Sequence, residues 1–297
     1  MIGIDIGGTK IAAGIVNTAL GTLSHRHTVP TAPQKGGEHV FQTVRSLILK
    51  LEEKARNEDI ALLGIGLGLC EIIDNDGQVR SDTLVKWRGR TLQRHFNLSL
   101  PVHLVSDVRA AALAEACFGA ARNLKSALYV SIGTGISSVL LLDGVPHCGA
   151  RGAALVLASA PVLCSCSNCG ALSQIIVEEI SSGPAVASRY TKNPGGDARH
   201  VIEAAERGDA EAVEIISRAT AVLGSAIGQL ANCLDPEAVI IGGGLGSAAG
   251  AYWEQLQIRI RQCLWNGLDG HAAVVQSALK QDAGVIGSAL AFEKGIH

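Results

Sequence analysis

Asp5, Lys10 and Asp107 are residues whose type and setting could do chemistry. Asp5 interrupts an apolar alternation, Ile2-Gly3-Ile4-Asp5-Ile6, and Gly7-Gly8-Thr9-Lys10 follows at once. A carboxylate inside a buried strand needs a partner or a metal. Paired glycines let backbone N–H groups come close to an anion, and here a hydroxyl and an ammonium stand beside them. The stretch has neither the spacing of a Walker loop nor that of a dinucleotide turn. Tyr129-Val130-Ser131-Ile132-Gly133-Thr134-Gly135-Ile136 repeats its form, apolar strand into glycine loop. Two such loops suggest two similar halves holding one phosphate-bearing ligand. A third run, Gly242-Gly243-Gly244, ends another apolar stretch and could let a nucleotide's base and ribose lie on the backbone. Any one of these loops could also be an ordinary tight turn.

Asp107 closes the apolar stretch 101–105 and opens an alanine-rich one. Ligands of open α/β sheets bind at the carboxyl ends of parallel strands. There Asp107 could accept a proton from a substrate hydroxyl attacking a γ-phosphoryl group. Asp is also a favoured helix N-cap, so the position has a purely structural reading too. An unperturbed Asp is ionised at neutral pH, so the base would need position more than a shifted pKa.

The elements that must hold these residues follow from periodicity. Strands are expected over 2–6, 11–16, 23–29, 62–69, 101–105, 126–132, 137–142, 238–241 and 273–277, with a hairpin turn at Asp143-Gly144. Helices are expected over 39–57, 92–96, 108–121, 210–234, 252–264 and 284–294. Residues 149–173 are rich in Gly, Ala, Ser and Cys and show no period. Alternating strands and helices make an α/β protein with two lobes.

The 297 residues are 47% apolar and 18% charged, with formal net charge −2. They can bury a sizeable core. No basic block points to nucleic acid, no apolar run is long enough for a membrane helix, and the first strand does not read as a signal peptide. A cytoplasmic protein is expected. Eight cysteines in such a chain are not expected to form a disulfide framework. Several, such as Cys117 and Cys233, read as small buried hydrophobes. Cys164, Cys166 and Cys169 form a cluster of their own.

Taken in order, these elements resemble the ROK family (repressors, open reading frames and sugar kinases) of the actin-like, hexokinase-like ATPase superfamily, over essentially the whole chain. Asp5-Ile6-Gly7-Gly8-Thr9-Lys10 resembles the family's first phosphate motif, and Gly133-Thr134-Gly135-Ile136 its second. Ile241-Gly242-Gly243-Gly244 resembles its adenosine loop. Ser106-Asp107-Val108-Arg109-Ala110-Ala111-Ala112 resembles the segment that carries its catalytic Asp. The resemblance implies a two-lobed actin-like ATPase (ribonuclease H-like) fold with mixed sheets flanked by helices. The expected lobes are 1–118 with a returning helix 284–297, and 119–283. It also implies ATP and magnesium, phosphorylation of a sugar-like hydroxyl, and by analogy a homodimer. Family repressors carry a DNA-binding winged helix ahead of this core. Here the core pattern starts at residue 2, so a repressor is not expected.

The departures fall on the acceptor side. Family kinases carry Glu and His, which contact the sugar, where this chain has Val156 and Ser159. The Asn before the base is Ser106, and an upstream Asn that touches the sugar ring corresponds to Ser81, followed by Asp82. Leu69-Cys70-Glu71 replaces the Pro-Gly of the substrate loop. Each lost hydrogen bond to a usual hexose would cost about 1–3 kcal/mol. The family's zinc motif is partly matched by Cys164 and Cys166, with Cys169 displaced and the His absent. A structural zinc needs a tetrahedral ligand set. These thiols with Cys148 or His147 could supply one, or the loop is a relic with free thiols. A kinase for a sugar, amino sugar or cyclitol is the expected function. The alternative is a non-catalytic sugar-binding or sensor protein, but retention of Asp107 with both phosphate loops favours the kinase.

Overall fold

A computed structural model describes residues 1–89, 96, 98–165, 169–265 and 272–297. The strands are β1 (Ile2–Ile6), β2 (Lys10–Asn17), β3 (Thr22–Pro30), β4 (Ile65–Leu69), β5 (Val102–Ser106), β6 (Ser126–Ile132), β7 (Ile136–Leu142), β8 (Val145–Pro146), β9 (Pro161–Ser165), β10 (Leu172–Ile176), β11 (Ala238–Gly242) and β12 (Ala273–Gln276). The helices are α1 (Gly37–Asn57), α2 (Asp107–Phe118), α3 (Glu178–Ser181), α4 (Gly183–Ser188), α5 (Ala198–Glu206), α6 (Ala210–Leu234), α7 (Gly243–Gly246), α8 (Ala251–Cys263) and α9 (Ala283–Lys294). The chain divides into two compact units. One comprises Met1–Asn123, Leu141–Ala154 and Gln281–His297, the other Leu124–Leu140 and Leu155–Lys280.

The first unit is built on a sheet in the order β3-β2-β1-β4-β5. β1 pairs antiparallel with β2 and parallel with β4, and β4 pairs parallel with β5. β1 and β4 are buried on both faces, which is why they read as Ile-Gly and Gly-Leu alternations with almost no polar residue. α1 lays Val40, Val44, Leu47, Ile48 and Leu51 into the same core as Ile2, Ile4 and Ile65. α9 packs on α2, β1 and β4. The second unit's sheet runs β12-β11-β6-β7. α6 buries Ile216, Thr220, Leu223, Gly224, Ile227 and Ala231 along one stripe. Asp209 caps its start, its carboxylate accepting from the Ala212 N–H at 3.1 Å, and Asp235 ends it at φ 47°.

Several sequence expectations need correction. The strand expected over 62–69 starts only at Ile65. The stretch 149–173 holds β9 and the start of β10, an antiparallel hairpin whose residues, the leucines Leu163 and Leu172 included, are largely exposed, so no buried face imposes a period. Cys233 is exposed, because it lies two positions beyond Ala231 and off the buried stripe of α6. The helix expected over 92–96 falls, apart from Phe96, outside the described residues. No helix among the described residues is long and apolar enough to cross a membrane.

Candidate functional site

Three carboxylates gather at the C-terminal edge of the first unit's parallel strands. Asp5 lies on β1 in register with Gly68 of β4. Glu71 follows β4, and Asp107 follows β5 as the first residue of α2. The N-cap position of α2 belongs to Ser106, which makes no side-chain capping bond. Asp107 accepts instead from the N–H of its neighbour Val108, at 2.7 Å. It keeps part of its surface open within dense surroundings. Burial, then the charge of Asp5, pushes its carboxyl up to about 7, with Glu71 adding to the rise. Asp5 is pushed up to about 6 by burial, against the pull of Lys10. The expectation of an unperturbed, fully ionised Asp107 is therefore corrected: packing places the group and shifts it as well.

The loop from β1 to β2 is closed by Gly7 N–H donating to the Lys10 carbonyl at 3.0 Å. The buried Thr31 steadies it, its hydroxyl donating to the Gly7 carbonyl at 2.7 Å and its N–H to the Thr9 carbonyl at 3.0 Å. Thr9 and Lys10 are exposed, and the Lys10 ammonium reaches Gln281 at 3.2 Å. Loop and carboxylates thus share one unit.

In the second unit the loop from β6 to β7 is closed by Gly133 N–H to the Gly135 carbonyl at 2.9 Å. The Gly183 N–H donates to the Gly133 carbonyl at 2.8 Å, and Glu178 accepts from the Ile136 N–H at 2.6 Å. Gly242, Gly243 and Gly244 carry the chain from β11 into α7, so they form a strand-to-helix turn. Gly243 takes φ +79° with Ile132 backbone atoms where a Cβ would stand, so only glycine fits. A Cβ on Gly133 would lie 3.8 Å from the Gly244 nitrogen, so these two glycine loops adjoin.

The acceptor-side expectations fare differently. The Ser81 hydroxyl donates to Glu71 and accepts from the Ile72 N–H at 2.8 Å. Asp82 is exposed and accepts from the Arg88 N–H at 3.3 Å. Ser106 is buried. Val156 and Ser159 are exposed and belong to the second unit. Of the thiol cluster, Cys169 is exposed, Cys164 is described only as backbone in β9, and Cys166 lies outside the described residues. Cys148 belongs to the first unit, where its thiol donates to the Pro146 carbonyl at 3.5 Å. Among the described residues no three His, Cys, Asp or Glu are grouped to hold a metal.

Sequence reasoning missed three contributors. Glu71 was visible as a lone acid in an apolar run. Glu178 gave no signal. Arg109 is buried in the first turn of α2, where it donates to the His297 carbonyl at 2.5 Å and to the Gly152 carbonyl, tying down the helix that Asp107 opens.

The chain is 28% identical to a glucokinase of Halalkalibacterium halodurans, over 96% of this chain and 92% of the relative. It is 29% identical to an N-acetylmannosamine kinase of Salmonella heidelberg, over 97% of each. Among solved structures, a ROK family glucokinase from Streptomyces griseus, in complex with glucose and AMPPNP, superposes with a TM-score of 0.83 at 27% identity and 97% coverage of both chains. The fold is that of the actin-like ATPases. The ROK family model matches residues 1–294, and the chain belongs to the ROK family.

Proposed function

We propose that the chain is an ATP-dependent kinase that phosphorylates a hydroxyl of a sugar or sugar-like acceptor, with Asp107 as general base. The observation that carries this reading is Asp107 itself: a partly open carboxyl at the end of a parallel strand, pushed up to about 7, in the same unit as the Asp5–Lys10 loop. The sugar kinases among the relatives support a sugar acceptor, and the AMPPNP complex of the Streptomyces griseus enzyme supports ATP.

Magnesium enters as part of the substrate, on the nucleotide phosphates. In the first unit the Gly8 N–H with Thr9 and Lys10, and in the second the Gly135 N–H with Thr134, are the groups assigned to phosphate, while the Gly7 and Gly133 N–H groups close the turns that present them, and Gly242–Gly244 is assigned to the adenosine. The ionised Asp107 takes the acceptor hydroxyl proton. The acceptor oxygen bonds to the γ-phosphorus, and the bond to the bridging oxygen breaks to release ADP. Asp82 and Ser106 are the residues of the first unit assigned to the acceptor, and Val156 and Ser159 those of the second. Ser81, whose hydroxyl is already engaged, acts there through Glu71.

Because the base works ionised, kcat/KM is expected to rise with pH through about 7 and to be lost below it. An ATP-to-ADP assay across hexoses, amino sugars and cyclitols, with calorimetry of ATP binding, tests the function. Turnover with one acceptor class and an acid limb near 7 support it. ATP binding without turnover on any acceptor would replace it with a sensor role.

A further inference from the structure

Glu71 is a carboxylate only 5% exposed, yet no ligand is needed to explain its partners. Four donors from one short segment converge on it. Oε1 accepts from the N–H groups of Leu84 at 2.6 Å and Val85 at 2.9 Å. Oε2 accepts from the Thr83 N–H at 3.0 Å and from the Ser81 hydroxyl. Burial alone would raise this carboxyl, but the Ser81 hydroxyl and the three N–H groups outweigh it and hold it below the usual range. Glu71 is thus a permanent negative charge. Just beyond, Val85 and Trp87 are fully buried, and the Trp87 indole N–H donates to the Gly37 carbonyl at 2.9 Å. The segment is therefore fastened twice, on Glu71 and in the core.

We propose that Glu71 is the positioning residue of the acceptor site, a fixed charge that folds residues 81–85 around itself and adds to the negative field on the strand edge it shares with Asp107, without touching the acceptor. The acceptor's place rests on the kinase reading above; the folding of 81–85 and the field do not. Both halves follow from where the chain puts the group. β4 and β5 are parallel neighbours, so the residues beyond their ends share one edge. The Ser81 hydroxyl and the Thr83, Leu84 and Val85 N–H groups are spent on Glu71, so they shape the acceptor's wall and do not read its hydroxyls. Among the described residues, the charged and titratable groups that face Asp107 are Asp5 from β1 and Glu71, with the Cys70 thiol beside them and Lys10 acting on Asp5. From α9 the close neighbour of Asp5 is Gly284, which brings no charge.

The test is Glu71→Gln in the full chain. The amide keeps one acceptor oxygen for Leu84 and Val85, but sets an NH2 group against the Thr83 N–H and removes the charge. Amide exchange at Thr83, Leu84 and Val85 is expected to speed up about tenfold or more. The Asp107 carboxyl, followed by 13C NMR, is expected to titrate lower by about half a pH unit or more. In the active enzyme the acceptor KM should rise about tenfold while the ATP KM stays within about twofold. Unchanged exchange together with an unchanged Asp107 titration overturns the proposal, and so does an unchanged acceptor KM in an enzyme that turns over. If Glu71→Gln does not fold, Ser81→Ala decides. Faster exchange at Thr83–Val85 with the Asp107 titration retained supports the proposal, because the charge is still present, and unchanged exchange overturns it. A wild-type protein that turns over no acceptor overturns the kinase reading alone, since exchange and titration still judge Glu71.

Discussion

Asp107→Asn is expected to abolish phosphoryl transfer and, at neutral pH, to make the protein more stable. Loss of a positioned general base removes about 10²- to 10⁴-fold in rate, while the side chain keeps its shape and an oxygen for the Val108 N–H. Nucleotide binding, which the proposed function assigns to the glycine loops, should persist by calorimetry. The stability gain follows from proton linkage. A carboxyl at about 7 in the folded protein, against about 4 unfolded, binds more protons folded than unfolded between those values. Stability therefore falls as pH rises from about 4 to about 7, and the asparagine variant is free of that fall. The gain is on the order of 2 kcal/mol once partial exposure is discounted, or several degrees in Tm at pH 8, with little gain at pH 4. An equal Tm change at both pH values would show that burial does not strain the carboxyl. A residual rate within tenfold of wild type would remove Asp107 from the role of base. Such a trade of stability for chemistry is what a buried, charge-crowded base implies.

The elements around this site were readable where one short stretch holds the whole signal. β1 shows its burial in Ile2, Ile4 and Ile6, and shows Asp5 as the exception. α6 runs over the expected residues because Asp209, Asp235 and Pro236 mark its ends locally. The hairpin of β9 and β10 was hidden because a mostly exposed ribbon needs no apolar alternation. The shift on Asp107 could not be read either. It arises first from burial and then from the carboxylates that the sheet brings to the ends of β1, β4 and β5. Glu71 makes the same point: its donors lie ten to fourteen residues on, and nothing in the local pattern of Leu69-Cys70-Glu71 says that Ser81 will be spent on it. The match of Ser81 to an acceptor-side position carries no sign of this hydrogen bond to Glu71.

Gly287→Ala opposes two effects of known size and opposite sign. On helix propensity alone, replacing a glycine inside α9 by alanine should stabilise by about 1 kcal/mol. The packing of α9 predicts the reverse. A Cβ on Gly287 would lie 1.7 Å from the carbonyl oxygen of Ala110 and 2.2 Å from its carbon, both backbone atoms of α2. No rotamer change relieves a clash with backbone, so the two helices must separate. On its other side α9 has no room to retreat, because the Ser288 carbonyl already sits where a Cβ on Gly66 of β4 would be. The helix is wedged between α2 and the sheet, and overpacking at such a point costs about 3 kcal/mol. A fall in Tm of several degrees is expected by calorimetry, and an unchanged or raised Tm would mean that the close approach of α9 and α2 is not a constraint. The loss should reach the chemistry too. Ala110 lies three residues past Asp107 in the first turn of α2, so moving that turn moves the base relative to Asp5 and Glu71. At temperatures where the variant is still folded, kcat is expected to drop while the ATP KM holds, which separates a displaced base from simple unfolding.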